Sequence, residues 1–199
     1  FLKRLLTKIE KIMPTTDQKV CVVGLGYVGL TLAMHAARNG YEVHGIEILD
    51  ATYDVIASGN TYFHEQGLDE LLKLSINKSF FVHKEIPKDE SFDIFIITVG
   101  TPLAVGEKLP NMGVLDNAIG SISAFVNEET LVVLRSTIPV GSSAKMAAKI
   151  IDANALPSIN ISFCPERTAE GKALVELQSL PQIISGNNKV ALKKARQFF

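Results

Sequence analysis

Hydrophobic and polar positions along the chain follow two patterns in turn, one typical of strands and one typical of helices. Lys19 to Gly24 is a short β-rich run that ends in glycine. Val28 to Asn39 then has helical spacing and is followed by Gly40, a common helix stop. The same reasoning predicts four further elements in this half of the chain: a strand over 41–48, helices over 50–58 and 68–74, and a strand over 80–83.

Three later segments are almost continuously apolar, namely Phe92 to Val99, Thr130 to Leu134 and Ile159 to Phe163. Continuous runs, as opposed to alternating ones, are typical of strands that are buried on both faces of a parallel sheet. Helical patterns separate or follow these strands, over 114–126, 142–153 and 188–199. Strands that alternate with helices indicate right-handed βαβ units. The sequence therefore predicts an α/β fold with a Rossmann-like, doubly wound, mostly parallel sheet and helices on both faces.

The predicted domain covers residues 19–199 and is preceded by an N-terminal arm or helix over 1–18. Phe1 to Met13 has amphipathic helical spacing, which fits a short helix packed on the domain or an arm; a membrane-surface or partner helix is the alternative. The last helix pattern stops at the end of the sequence, so we expect the natural polypeptide to continue.

Composition and charge exclude several classes of protein. Lys and Arg number 20 against 21 Asp and Glu, so there is no basic surplus to indicate nucleic-acid binding. No apolar run approaches the roughly 18 residues of a membrane helix, so we expect no membrane contact. Two cysteines, Cys21 and Cys164, favour a reducing compartment and a cytoplasmic protein. The four histidines show no metal-ligand spacing, so we expect no metal.

Gly24, Gly26 and Gly29 form a G-x-G-x-x-G motif between a predicted strand and a predicted helix, the context that a dinucleotide-binding turn requires. The first glycine allows the tight turn, the second lets the backbone approach a pyrophosphate, and the third lets helix and strand pack closely. With Tyr27 and Val28, these residues are predicted to bind the cofactor, because a helix N-terminus offers free N–H groups to phosphates.

Glu47 ends the second predicted strand and lies 18 residues after Gly29, where the dinucleotide fingerprint places an acid. Its carboxylate would accept hydrogen bonds from both ribose hydroxyls of NAD. A 2′-phosphate there would meet a like charge, so the sequence predicts NAD as the cofactor and disfavours NADP.

Polar residues also follow each of the three apolar strands: Thr101-Pro102, Arg135-Ser136-Thr137 and Cys164-Pro165-Glu166. Ligands of open α/β sheets bind outside the carboxyl ends of the strands. We therefore expect these three segments to line one crevice.

The segments VVGLGYVGLTLA at 22–33, VGTPL at 99–103, RSTIPVGSS at 135–143 and CPERTAEGKALVEL at 164–177 resemble the UDP-glucose/GDP-mannose (nucleotide-sugar) dehydrogenases. The GLDELL segment at 67–72 fits the same pattern, and the order is that of the family. The CPER form is more similar to the branch that acts on N-acetylated sugar nucleotides, such as UDP-N-acetyl-hexosamines.

The resemblance implies oxidation of the C6 alcohol of a UDP-sugar to a carboxylate, by two hydride transfers to NAD, in polysaccharide biosynthesis and by a homodimer when full length. It implies that Thr137 positions a water, that Glu170 is a general base and that Glu166 acts in the substrate pocket. It places Thr101, Ser136 and Thr137 at the cofactor. The remaining residues that it places at the substrate are Arg167, Thr168 and Ala169.

The sequence departs from the family pattern in three ways. Glu47 replaces the usual Asp, a mild chemical change. Thr52 stands where many relatives have Lys or Arg, and this second difference predicts weaker cofactor binding. The family's nucleophilic cysteine, its catalytic lysine and asparagine and its C-terminal substrate domain lie beyond the matched region. The resemblance therefore implies that this chain lacks the substrate domain and that these 199 residues alone are inactive. A stand-alone, non-catalytic NAD-binding module is therefore the alternative. Another Rossmann dehydrogenase, of the 3-hydroxyacyl-CoA or 6-phosphogluconate type, is disfavoured by STIPVG and PERTAEG.

Overall fold

Strands and helices alternate along the residues that the structure describes. The structure is a computed structural model, and it describes residues 14–103 and 110–199. The strands are β1 (Lys19–Val23), β2 (Glu42–Ile46), β3 (Phe80–His83), β4 (Ile94–Ile97), β5 (Leu131–Leu134) and β6 (Asn160–Phe163). The helices are α1 (Tyr27–Arg38), α2 (Asp50–Ala57), α3 (Leu68–Ser75), α4 (Gly113–Ser123), α5 (Ser142–Asn154), α6 (Ala173–Ser179) and α7 (Lys189–Phe198).

All six strands form one parallel sheet in the order β3-β2-β1-β4-β5-β6. The chain moves outward from β1 to β3 and then returns to β4 on the other side of β1, so the winding direction reverses between β1 and β4. The carboxyl ends of parallel strands lie at one edge, and such a reversal opens a crevice there. The predicted Rossmann-like, doubly wound α/β fold is confirmed.

Alternate residues of β1 supply two hydrophobic cores, one on each face of the sheet. Val20 and Val22 belong to a core that includes residues of α1, α3, α6 and α7. Cys21 and Val23 belong to the opposite core, with residues of α4 and α5. Successive side chains of a strand point to opposite faces, so a strand covered on both sides must be apolar at every position. This is the physical reason for the continuous apolar runs.

The observed elements match the predicted ones except at their ends and at α6. The strand predicted over Phe92 to Val99 is shorter at both ends and covers Ile94–Ile97, although the amide of Thr98 still donates to the carbonyl of Val23. Helix α6 was not predicted, since its seven residues are too few to show a clear helical period.

The N-terminal helix predicted over Phe1 to Met13 lies outside the described residues. The described part of the predicted arm, residues 14–18, is not helical, and the amides of Thr15 and Thr16 donate to the carbonyl of Gly40. In the described ranges, no helix is both long enough and apolar enough to cross a bilayer.

Candidate functional site

The glycine motif forms the turn between β1 and α1, at the carboxyl edge of the sheet. Gly24 has a φ of +91°, a conformation that side chains with a Cβ rarely adopt. Gly26 is the N-cap of α1, and a Cβ at this position would meet no atom of residues 14–103 and 110–199 within 4 Å. The first helical hydrogen bond runs from the Leu30 amide to the Gly26 carbonyl, so the amides of Tyr27, Val28 and Gly29 precede the helical pattern.

Gly29 lies against the carbonyl of Gly24. A Cβ at position 29 would lie 1.9 Å from the Gly24 oxygen and 2.6 Å from Oγ1 of Thr98. The Thr98 hydroxyl, which follows β4, donates to the Gly24 carbonyl at 2.6 Å. Thr98 thus holds the turn across the reversal point between β1 and β4, a role that the sequence analysis did not assign.

Glu47 follows β2 and lies beside the glycine turn. It is 7% exposed, and its two oxygens accept hydrogen bonds from the amides of Leu25 (3.2 Å) and Leu49 (2.9 Å). A carboxylate has about four lone-pair positions, so acceptor capacity remains for a ligand hydroxyl. Ile48 and Leu49 beside it are 77% and 63% exposed, an apolar surface that fits the face of a base, and Thr52 lies in the first turn of α2.

The segments that follow β4, β5 and β6 are joined to one another by hydrogen bonds. The hydroxyl of Thr101 donates to the carbonyl of Thr137 at 2.7 Å, and the hydroxyl of Ser136 donates to the carbonyl of Val99 at 2.6 Å. Thr137 is exposed, whereas Ser136 is buried. These donations leave the oxygens of Thr101 and Ser136 free to act only as acceptors toward a ligand.

Arg135 connects the β5 segment with the β6 segment through an ion pair with Glu166. Its side chain is fully buried, Nη2 lies 2.8 Å from Oε2 of Glu166, and Nε donates to the same oxygen at 2.9 Å. Arg135 also donates to the carbonyl of Cys164 and to the side chain of Gln182, and its guanidinium lies over the ring of Phe199. The sequence places Arg135 in a segment that lines the predicted crevice but does not identify Glu166 as its partner; the opposite charges of the two residues were the available signal.

The carboxylate of Glu166 also accepts from the backbone of its own segment. Oε1 receives the amides of Arg167 (2.6 Å) and Thr168 (2.8 Å). Burial would raise the pKa of Glu166, but the charge of Arg135 and these backbone hydrogen bonds outweigh it, so the pKa lies below its usual range. With four donors around it, the carboxylate anchors the segment as an ionised group.

The acidic loop, residues 164–172, is not helical between Cys164 and Ala169. Glu166 and Glu170 therefore do not share a helix face. Glu170 is exposed in a turn. Arg167 is exposed and donates to the carbonyl of Pro181. The hydroxyl of Thr168 is buried and has no hydrogen-bond partner within residues 14–103 and 110–199.

Both cysteines are buried, and burial raises the pKa of each thiol. A group that sequence spacing does not reveal is formed by Glu42, His44 and Glu90, whose potential ligand atoms lie within 4.8 Å of one another. The ammonium of Lys19 lies 2.9 Å from Glu42 and 2.6 Å from Glu90, so these carboxylates already hold a cation. The expectation of no metal stays a prediction.

A cavity of about 370 Å³ lies between α1, α6 and α7. It is lined by the C-terminal half of α1 and by the end of the described chain, including His35, Tyr41 and Phe199. The glycine turn lies at the opposite end of α1. The cavity is therefore separate from the glycine turn, but Gln182 and Phe199 in its lining contact Arg135 of the carboxyl edge.

Comparison with protein families matches residues 18–199 to the UDP-glucose/GDP-mannose dehydrogenase family, NAD binding domain. The UDP-N-acetyl-D-mannosamine dehydrogenase of Methanococcus vannielii is 37% identical over 185 residues, which are 92% of this chain and 42% of that protein. The solved UDP-D-ManNAc dehydrogenase of Pyrococcus horikoshii superposes with a TM-score of 0.84 at 30% identity, over 91% of this chain and 44% of that one. The solved UDP-N-acetyl-mannosamine dehydrogenase of Staphylococcus aureus superposes with a TM-score of 0.82 at 29% identity, over 90% of this chain and 44% of that one. The chain spans less than half the length of these relatives.

Proposed function

Because the chain belongs to the UDP-glucose/GDP-mannose dehydrogenase family and matches its NAD-binding domain, we propose that it is the NAD-binding part of a nucleotide-sugar 6-dehydrogenase. In this reaction the C6 alcohol of a UDP-sugar becomes a carboxylate, two NAD molecules in turn accept a hydride, and one water supplies the second carboxylate oxygen. The observation that carries the proposal is the open glycine turn beside the carboxylate of Glu47.

The residues around the turn fit NAD in shape and charge. The space above Gly26 admits a pyrophosphate, and the amides of Tyr27, Val28 and Gly29 with the positive end of the α1 dipole favour a negative charge there. Glu47 has acceptor capacity for ribose hydroxyls, while Thr101, Ser136 and Thr137 would meet the rest of the cofactor. NAD, when bound, supplies the hydride acceptor.

The exposed residues around the acidic loop would act on the sugar. Thr137 would position the attacking water and Glu170 would accept its proton. Both side chains are exposed, whereas the carboxylate of Glu166 forms an ion pair with Arg135. Glu166 would hold the loop in place from within the substrate pocket. Arg167, Thr168 and Ala169 would contact the substrate, and the unpartnered hydroxyl of Thr168 supports this assignment.

The proposed substrate is a UDP-N-acetyl-hexosamine. The CPER segment at 164–167 supports this branch, and several relatives carry the name UDP-N-acetyl-D-mannosamine dehydrogenase. We propose a homodimer for the full-length protein, which light scattering on that protein would test.

Calorimetry with NAD and a UDP-sugar panel test the proposed function. The polypeptide of these 199 residues is expected to bind NAD but to form no NADH with any UDP-sugar, because both of its cysteine thiols are buried. The full-length protein is expected to form two NADH per UDP-N-acetyl-hexosamine. A full-length protein that binds NAD without turnover would favour the alternative, a non-catalytic NAD-binding module; no NAD binding by either form would refute both.

Glu47→Gln is expected to weaken NAD binding about tenfold or more, because a hydrogen bond to a charged acceptor contributes about 1.5–3 kcal/mol. The preference for NAD over NADP should fall as well. Glu47→Arg is a poorer test, since an arginine would face the amide donors of Leu25 and Leu49.

Calorimetry with both cofactors measures the effect of Glu47→Gln. Asp50→Asn is the matched control: its carboxylate lies three residues away but is 78% exposed, so NAD affinity should stay within about twofold. Unchanged NAD affinity in Glu47→Gln would mean that this carboxylate only caps the turn.

A further inference from the structure

The side chain of Tyr27 connects the glycine turn with the acidic loop. Its backbone belongs to the turn, but its hydroxyl lies 2.9 Å from the amide of Gly171, which donates to it, and 3.0 Å from the carbonyl of Ala169. Ala169 and Gly171 are the two residues that flank Glu170. One hydroxyl on α1 thus contacts the backbone on both sides of the proposed base and accepts a hydrogen bond from one side, the amide of Gly171.

Glu65 completes the connection from the loop that precedes α3. It is 4% exposed, and its Oε2 lies 2.6 Å from the Tyr27 hydroxyl. The single hydroxyl proton goes to this oxygen in preference to the Ala169 carbonyl, because the contact is shorter and the acceptor is a carboxylate. The other oxygen of Glu65 accepts the amide of Leu174 in α6 at 3.3 Å.

The Tyr27 hydroxyl stays protonated at every physiological pH. Burial, with the hydrogen bond to Glu65, raises the pKa of Tyr27 to about 12. The ring is held against Phe63, with ring centroids 5.1 Å apart. The hydroxyl is therefore a permanent donor in a fixed place, which suits a structural connection and not proton transfer.

We propose that Tyr27 and Glu65 are positioning residues that couple NAD binding at the glycine turn to the order of the acidic loop around Glu170. The inference rests on the proposed function, since it assumes that NAD binds at the turn. Coupling between two sites is reciprocal, so a cofactor that orders the turn also orders the loop. The fingerprint tyrosine then has two roles: its amide faces the cofactor, and its hydroxyl places Glu170.

Hydrogen exchange followed by mass spectrometry, with and without NAD, tests this coupling. In the wild-type protein NAD is expected to slow exchange at residues 24–29 and also at residues 169–174. Tyr27→Phe should keep the first effect and lose the second, and exchange at Gly171 should become about fivefold faster without NAD, the equivalent of one hydrogen bond.

Tyr62→Phe is the matched control. The Tyr62 hydroxyl donates to the Leu25 carbonyl at 2.9 Å, so this variant also loses one hydrogen bond at the same turn but none to the acidic loop. NAD-dependent protection of residues 169–174 should survive in it. Glu65→Gln, which keeps an acceptor for Tyr27, should retain that protection in part.

The outcomes separate the inference from the proposed function. If NAD fails to protect residues 24–29 of the wild-type protein, the proposed function fails. If NAD protects 24–29 but not 169–174, or if Tyr27→Phe keeps the protection of both segments, the coupling is refuted while NAD binding stands. An equal loss in Tyr62→Phe would show general loosening of the turn and would also refute it.

Discussion

Gly29→Ala is expected to destabilise the folded domain by about 3 kcal/mol, the upper end of the usual cost of overpacking. The added methyl group would lie 1.9 Å from the carbonyl oxygen of Gly24 and 2.6 Å from Oγ1 of Thr98. Neither neighbour yields easily, because Thr98 is hydrogen-bonded to that same carbonyl. The turn must open, and its contact across the reversal point of the sheet is lost. Urea unfolding followed by circular dichroism measures the effect.

Gly26→Ala separates the two uses of glycine in this turn. Gly26 has a φ of −62°, which alanine adopts readily, and a methyl group there would meet no atom within 4 Å in the part of the chain that the structure describes. Stability should change by no more than about 0.5 kcal/mol. NAD affinity should nevertheless fall at least tenfold, because the methyl group occupies the space through which the backbone approaches the pyrophosphate. A variant that loses stability but binds NAD normally would contradict this division of roles.

Arg135→Met is expected to destabilise the domain by about 3–5 kcal/mol, the usual cost of removing one partner from a buried ion pair. The guanidinium is fully buried, and its loss leaves the carboxylate of Glu166 without its counter-charge. The double variant Arg135→Met/Glu166→Gln should recover about 1–3 kcal/mol, because the uncompensated charge is gone. Arg38→Met, at an exposed position on α1, is the control and should stay within about 0.5 kcal/mol. Equal unfolding midpoints for Arg135→Met and Arg38→Met would show that the pair does not stabilise the fold.

The same pair predicts a dependence of stability on pH. The native pKa of Glu166 lies below the ordinary value of about 4.3. At pH values between the native and the ordinary pKa, the unfolded chain therefore binds more protons than the folded one. The contribution is complete above the ordinary pKa and is lost as the pH falls through that value to the lower native pKa. Urea unfolding between about pH 6 and pH 3 should show this loss in the wild-type protein and a weaker loss in Glu166→Gln.

Short-range sequence patterns were sufficient to predict the fold class and the position of the glycine turn. The β-rich run before Gly24 and the helical pattern after it place the glycine motif where a dinucleotide-binding turn must lie, and Glu47 ends the strand that pairs beside it. Each of these features depends on residues close in sequence or on the period of one element. Their order along the chain was therefore enough to predict a parallel sheet and the edge at which its loops gather.

Contacts between distant segments were not predictable in this way. Arg135 and Glu166 are 31 residues apart, and Tyr27 reaches a loop more than 140 residues away. No periodic pattern marks such a pair, since each residue alone fits an ordinary polar loop. The placement of Glu166 in the substrate pocket stays a prediction, and its pairing with Arg135 could not be read from the sequence.

The sequence by itself determined which segments are strands and, apart from α6, which are helices. It also determined that the strands are buried and parallel, and that glycine and acid stand at the positions of a dinucleotide fingerprint. Backbone preference and hydrophobic period operate over a few residues, so they can be recognised without a structure. Only the tertiary structure decided which polar groups already have an ion-pair or hydrogen-bond partner within the protein. Crossovers bring the carboxyl ends of β1, β4, β5 and β6 together. In this buried region the charge of Arg135 neutralises that of Glu166. Tyr27 and Glu65 hold the acidic loop, in which Glu170 is exposed.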